Sequence, residues 1–134
     1  MAGRRELDIR VRPDDDGRLE IAPVLDAPVS EIRVHRGLTA TNTPRSLLTA
    51  GAAALRSRVA VRVYNTSLEN HLYVGRTRAD TAAWTVYRVP PQSERVIRWD
   101  GRYLGWCRAD SGLSATYEVI EEGAAGVDVE PLGE

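Results

Sequence analysis

The sequence predicts an all-β protein: an antiparallel β-sandwich, jelly-roll-like or barrel-like, with an N-terminal hairpin or arm. Three observations lead there. Short segments alternate apolar and polar residues, so that every second side chain faces a core. Clusters of Gly, Pro, Asn and Asp separate these segments at near-regular intervals, as turns separate strands. No segment sustains the apolar repeat of a helix. The stretch 47–75 shows the pattern best. Val59, Val61 and Val63 point one way, and Ala60, Arg62 and Tyr64 the other. Residues 65–70 (NTSLEN) form a turn, and 72–75 (LYVG) resume as the second strand of a hairpin.

The remaining elements follow in order. Leu7, Ile9 and Val11 alternate with Asp8, Arg10 and Arg12, residues 13–17 (PDDDG) turn, and Leu19-Glu20-Ile21 alternates again, so 7–24 reads as a hairpin. The Asp run lacks the spaced oxygen ligands and distal Glu of a calcium loop and reads as an acidic surface turn. Pro23 and Pro28 mark a connection. Residues 31–36 form a strand with Ile32, Val34 and Arg36 on one face and Arg33 and His35 on the other, and Gly37 ends it. His35 is expected to be exposed or at an interface. Residues 38–43 are Thr-rich and β-prone, and Pro44 stops them. Residues 46–55 read as a loop with room for a short helical turn, its Leu47 and Leu48 plugging one end of the sandwich.

After the hairpin, 76–83 is polar and loop-like. Residues 84–89 form a strand, Pro90-Pro91 breaks it, and 95–99 form the next. Asp100-Gly101 is a hairpin turn signal answered by 102–107. Residues 110–112 turn again, and 115–120 form a last strand. Residues 121–134 read as a tail, with Val127 and Val129 able to add an edge strand. The chain divides into 1–37 as an arm or hairpin, 38–122 as the sandwich and 123–134 as the tail.

A chain of 134 residues with 43% hydrophobic content can bury one core. No apolar run is long enough to span a bilayer. The N-terminal residues place charges where a signal peptide carries its apolar segment, so retention in a cytoplasm is expected, apart from release by lysis or inside an assembly. Net charge is −1 with both signs interspersed, which argues against nucleic-acid and membrane partners. All 18 basic residues are Arg, and Lys and Phe are absent. Coding bias toward GC-rich codons accounts for this; the functional alternative is that Arg forks serve protein interfaces.

The sequence carries no catalytic or metal-binding motif. Cys107 is the sole cysteine, so no intrachain disulfide or cysteine-based zinc cluster can form. In Tyr103-Leu104-Gly105-Trp106-Cys107 it reads as a small buried strand residue. Only His35 and His71 exist as candidate bases. No phosphate loop, His-Glu-x-x-His or Gly-x-Ser-x-Gly motif is present. No catalytic residue, cofactor or metal is assigned, and an enzyme is not expected. Trp84, Trp99 and Trp106 serve subunit contact and packing or, alternatively, form a stacking platform for sugars or bases. Trp99 and Trp106 flank the Asp100-Gly101 turn, where they are expected to pair across strands.

Leu47-Leu48, Arg58, Val61-Arg62-Val63-Tyr64-Asn65 and Leu72-Tyr73-Val74-Gly75, in that order, resemble a pattern of small tailed-phage and prophage virion proteins. Pro91-Gln92-Ser93-Glu94 stands where those proteins carry a Pro-Gly-Glu-like turn, Tyr103-Leu104-Gly105-Trp106 departs from their Leu-Tyr-Ala strand, and Val119-Ile120-Glu121 matches their closing valine-rich strand. Trp84 replaces their usual Gly-rich segment. The resemblance covers 38–122 and implies a β-sandwich of the capsid decoration or head-fibre type, often trimeric. On that footing the expected function is a non-enzymatic capsid decoration (cement) protein on the virion surface, assembled in the host cytoplasm, with the major capsid protein as partner and a homotrimer as the favoured form. A tail or head–tail junction protein and a carbohydrate-binding module are the alternatives. Leu7, Ile9, Val11 and Ile21, outside the resembling region, are the expected capsid or neighbour contacts.

Overall fold

The computed structural model describes residues 29–132. Their strands in chain order are β1 (Val29–Ala40), β2 (Arg45–Ser46), β3 (Arg58–Asn65), β4 (Leu72–Gly75), β5 (Tyr87–Val89), β6 (Ser93–Ile97), β7 (Trp106–Arg108) and β8 (Ala115–Ala124). One short helix, α1 (Arg78–Ala82), lies between β4 and β5. The strands form two antiparallel four-stranded sheets, ordered β1-β8-β3-β6 and β2-β7-β4-β5. The core joins them: Val61, Val63, Tyr117 and Val119 from the first sheet meet Leu72, Val74, Val89 and Cys107 from the second, and Leu47 and Leu48 sit fully buried among them. The all-β sandwich and the plugging role of the Leu pair are as the pattern predicts, and Cys107 is a buried strand residue.

Connectivity departs from expectation. β3 pairs with β6 and β8, while β4 pairs with β5 and β7, so 47–75 contains no hairpin. Residues 65–70 instead carry the chain from one sheet to the other. Asp100-Gly101 does the same, since β6 and β7 belong to different sheets. Every consecutive pair of strands except β4 and β5 changes sheet. Alternation reports which face of a strand is buried, but not which strand lies beside it.

Of the register shifts in β1 and β3, the ones at His35–Leu38 and Arg58–Ala60 reset the alternation of the buried faces. β1 does not end at Gly37. His35 lies opposite Val119 and Leu38 opposite Tyr117, so one extra residue is accommodated there. Gly37 adopts φ 69°, a left-handed conformation that glycine takes without steric penalty. The inward set therefore shifts from Arg33 and His35 to Leu38 and Ala40, and β1 runs through the boundary expected at residue 37. In β3 the register shifts between Arg58 and Ala60. Val61 and Val63 face inward as read, but Val59 falls at the bulge and Arg58 turns into the core with no exposed surface.

Other corrections are local. The polar loop 76–83 contains α1, capped by Thr77, whose hydroxyl accepts the Asp80 N–H at 3.1 Å. Thr81 of this turn packs on Gly75, where a side chain would collide with it. The strand expected at 84–89 begins only at Tyr87, because Trp84 takes φ 63° after the helix. The strand expected at 102–107 shrinks to Trp106–Arg108. β8 extends to Ala124, and Val127 and Val129 form no strand, although Val129 N–H reaches Arg56 C=O at 2.9 Å.

Candidate functional site

The first feature is a buried ionic cluster that sequence reading missed. Glu121, mid-β8, is fully buried. Its Oε1 accepts hydrogen bonds from Arg33 Nε at 2.9 Å and His35 Nε2 at 2.8 Å. Its Oε2 accepts the Leu55 N–H at 2.9 Å and Arg58 Nη1 at 3.0 Å. Arg58, equally buried, also donates to the carbonyls of Trp99 at 3.1 Å, Asp100 at 3.0 Å and Tyr103. One side chain thus ties β3, β8 and the β6–β7 connection together. Burial alone would raise the Glu121 carboxyl, but the Leu55 amide, the His35 and Arg33 hydrogen bonds and the Arg58 charge outweigh it and hold it below the ordinary carboxylate value. Burial lowers the Arg58 guanidinium against the pull of Glu121. Arginine's ordinary value is high enough that the group stays charged.

His35 is buried at 4% exposure, contrary to the exposed or interfacial position expected of it. The bulge at Gly37 leaves it on the inward face. Its Nδ1 faces the Thr49 hydroxyl at 2.8 Å and accepts the Thr49 N–H at 3.2 Å, which assigns the ring proton to Nε2, the donor to Glu121. Thr49, His35 and Glu121 have the connectivity of a nucleophile, base and acid. The electrostatics differ from such a relay. The carboxylate that would stabilise an imidazolium is already shared by two guanidinium groups and an amide, and Nδ1 is occupied by the backbone. We read the cluster as a structural clamp.

The second feature is the outer surface. On the β2-β7-β4-β5 sheet, Trp84 is 45% exposed, sits edge-on to Tyr73 at 5.1 Å, and lies under the Arg108 guanidinium at 3.9 Å. Trp106 is half-buried beneath Arg78, 5.4 Å away. Trp99 is buried at 9% exposure and leans on Tyr87 at 6.1 Å. The three indoles are not brought together, and Trp99 and Trp106 do not pair across strands, because the strands beside them belong to different sheets. Leu7, Ile9, Val11 and Ile21 lie outside the described residues. On the β1-β8-β3-β6 sheet, Ile32, Val34, Tyr64 and Val96 are exposed around Arg62, which bridges Glu94 at 2.9 Å and Glu122 at 3.2 Å. Among the described residues β1, twelve residues long, has a neighbour on one side only.

No family model, curated protein or solved structure matches this chain. Among the described residues no group of His, Cys, Asp and Glu is arranged to hold a metal, and no helix is long and apolar enough to cross a membrane. Cys107 has no exposed surface. Burial, against the opposing influence of Tyr117 and Arg45, pushes its thiol up to about 12, so thiolate chemistry is suppressed at neutral pH.

Proposed function

We propose that this chain is a non-enzymatic structural protein of a tailed-phage particle, acting as a capsid decoration protein. One observation carries the reading. The residues that bear the resemblance occupy one buried scaffold: Leu47 and Leu48 plug the core, Arg58 and Glu121 form the clamp, Asn65 anchors the crossing before β4, and Gly75 lets Thr81 of α1 pack on the end of β4. A motif of this kind specifies a module and leaves recognition to its outer surfaces. Among the described residues β1 has one free edge with Ile32 and Val34 exposed beside it, which supports an assembly role, because an unpaired edge is a template for a further strand. A trimer at a junction between capsomers would contact several shell subunits at once, and multivalency would turn modest single contacts into retention.

Mixing the purified chain with undecorated capsids tests this. Saturable co-sedimentation at a fixed number of copies per shell, with a trimer by native mass spectrometry, is expected, and deletion of residues 2–30 is expected to abolish binding. Absence of binding to shells by the full chain would sink the decoration role, and a label located on the tail would move the protein there.

A further inference from the structure

We propose that the cleft between α1 and Trp99 binds one neutral sugar ring of a glycan. This inference goes beyond the assembly role and does not depend on it. The cleft encloses about 370 Å³ and is lined by Arg76, Asp80, Thr85, Tyr87 and Trp99, with Val74 behind them. That volume is at the small end for ligand pockets, which run from roughly 300 to 1,000 Å³.

Tyr87 is its exposed aromatic wall, and the largely buried Trp99 contributes to the lining. Tyr87 and Trp99 stand 6.1 Å apart at 46°. Tyr87 is 42% exposed, and Arg95, which does not line the cleft, lies 4.5 Å from its ring centre and braces it. The C–H faces of a pyranose pack on such rings without requiring charge. The rim supplies hydrogen bonds of both kinds. Sugar hydroxyls donate to a carboxylate and accept from a guanidinium, and Asp80 and Arg76 offer one of each. Among the described residues neither side chain takes part in an ion pair. Arg76 is positioned by the Tyr103 ring, 4.8 Å from its guanidinium. Asp80 is fixed by α1, whose cap its own N–H completes.

The charges disfavour a ligand of a single sign. One cation and one anion at the same cleft give no net attraction to an acidic or basic ligand. A phosphate or sialic acid would meet Asp80, and an amine would meet Arg76. A neutral, hydroxyl-rich ring satisfies both.

The test is an amide and indole NMR titration of the full chain with maltotriose, cellotriose, chitotriose and xylotriose, alongside sialyllactose and adenosine. Saturable shifts of the Trp99 indole and the Thr85 and Tyr87 amides are expected with at least one neutral trisaccharide. Asp80→Asn and Tyr87→Ala, both at accessible positions, are expected to weaken binding about tenfold or more, in keeping with loss of a hydrogen bond to a charged group and of a stacking face. Trp84→Ala, outside the cleft, is expected to leave affinity unchanged. The proposal is overturned if no neutral saccharide shifts the cleft resonances, if the shifts survive both cleft substitutions, or if sialyllactose or adenosine binds there more tightly.

Discussion

Glu121 keeps a full negative charge with no exposed surface because four donors meet it: two guanidinium groups, one imidazole and one amide. Removing one member of a buried ion pair costs about 3–5 kcal/mol, since the remaining charge loses its partner. Glu121→Gln strands Arg58, and a loss of that size is expected in denaturant unfolding. The same carboxylate sets an acid limit. Its folded value lies below the unfolded one, so its contribution is fully present above about pH 4.3 and is lost as pH falls through the folded value. The wild-type chain should lose stability below that pH, and the Gln variant should lose less over the same range. Equal acid slopes would contradict this account. Arg58 and Glu121 were both visible in the sequence as letters of a motif. Their partnership was not, because Arg58 reaches the core through a bulge that no alternation pattern announces.

The crossing at residues 65–70 centres on one buried side chain, Asn65. Asn65 is fully buried, donates to the carbonyls of Asn70 at 2.8 Å and Val89 at 2.9 Å, and accepts the Ser67 N–H at 2.9 Å. It therefore ties the end of β3 to β5 in the opposite sheet. Asn65→Ala leaves these buried groups without partners, and a loss of about 3 kcal/mol is expected from chemical denaturation, at the upper end for an unsatisfied buried group. A loss below about 0.5 kcal/mol would mean that water replaces the side chain. Strand positions were legible from period-2 alternation and turn residues. Partners were not, since the same turn residues serve a hairpin and a crossing between layers. α1 was missed although Thr77-Arg78-Ala79-Asp80 carries a capping signal, because it is a single short turn and propensity gives it little weight. The cleft was equally hidden. Its residues come from β4, α1, β5 and the connections that follow β4, α1 and β6, and only the fold brings them together.

The described residues form two layers laced together by the chain, with Cys107 buried within one layer. Its burial makes the thiol a reporter of global opening. Modification by a disulfide reagent at neutral pH is expected to proceed at the unfolding rate and to accelerate in step with denaturant. A fast reaction in native buffer would show that β7 opens locally.

The place of β8 between β1 and β3 has a further consequence, which concerns synthesis. β1 is among the first of the described strands to leave the ribosome, yet its partner is β8, and Val29 lies opposite Ala124. β3 waits for the same strand. The first sheet therefore cannot assemble on the nascent chain until residues 115–124 have emerged, and nearly all of its pairing closes long loops, the condition under which β-proteins fold slowly. During that interval β1, with Ile32 and Val34 along it, is complete but without a partner among the described strands.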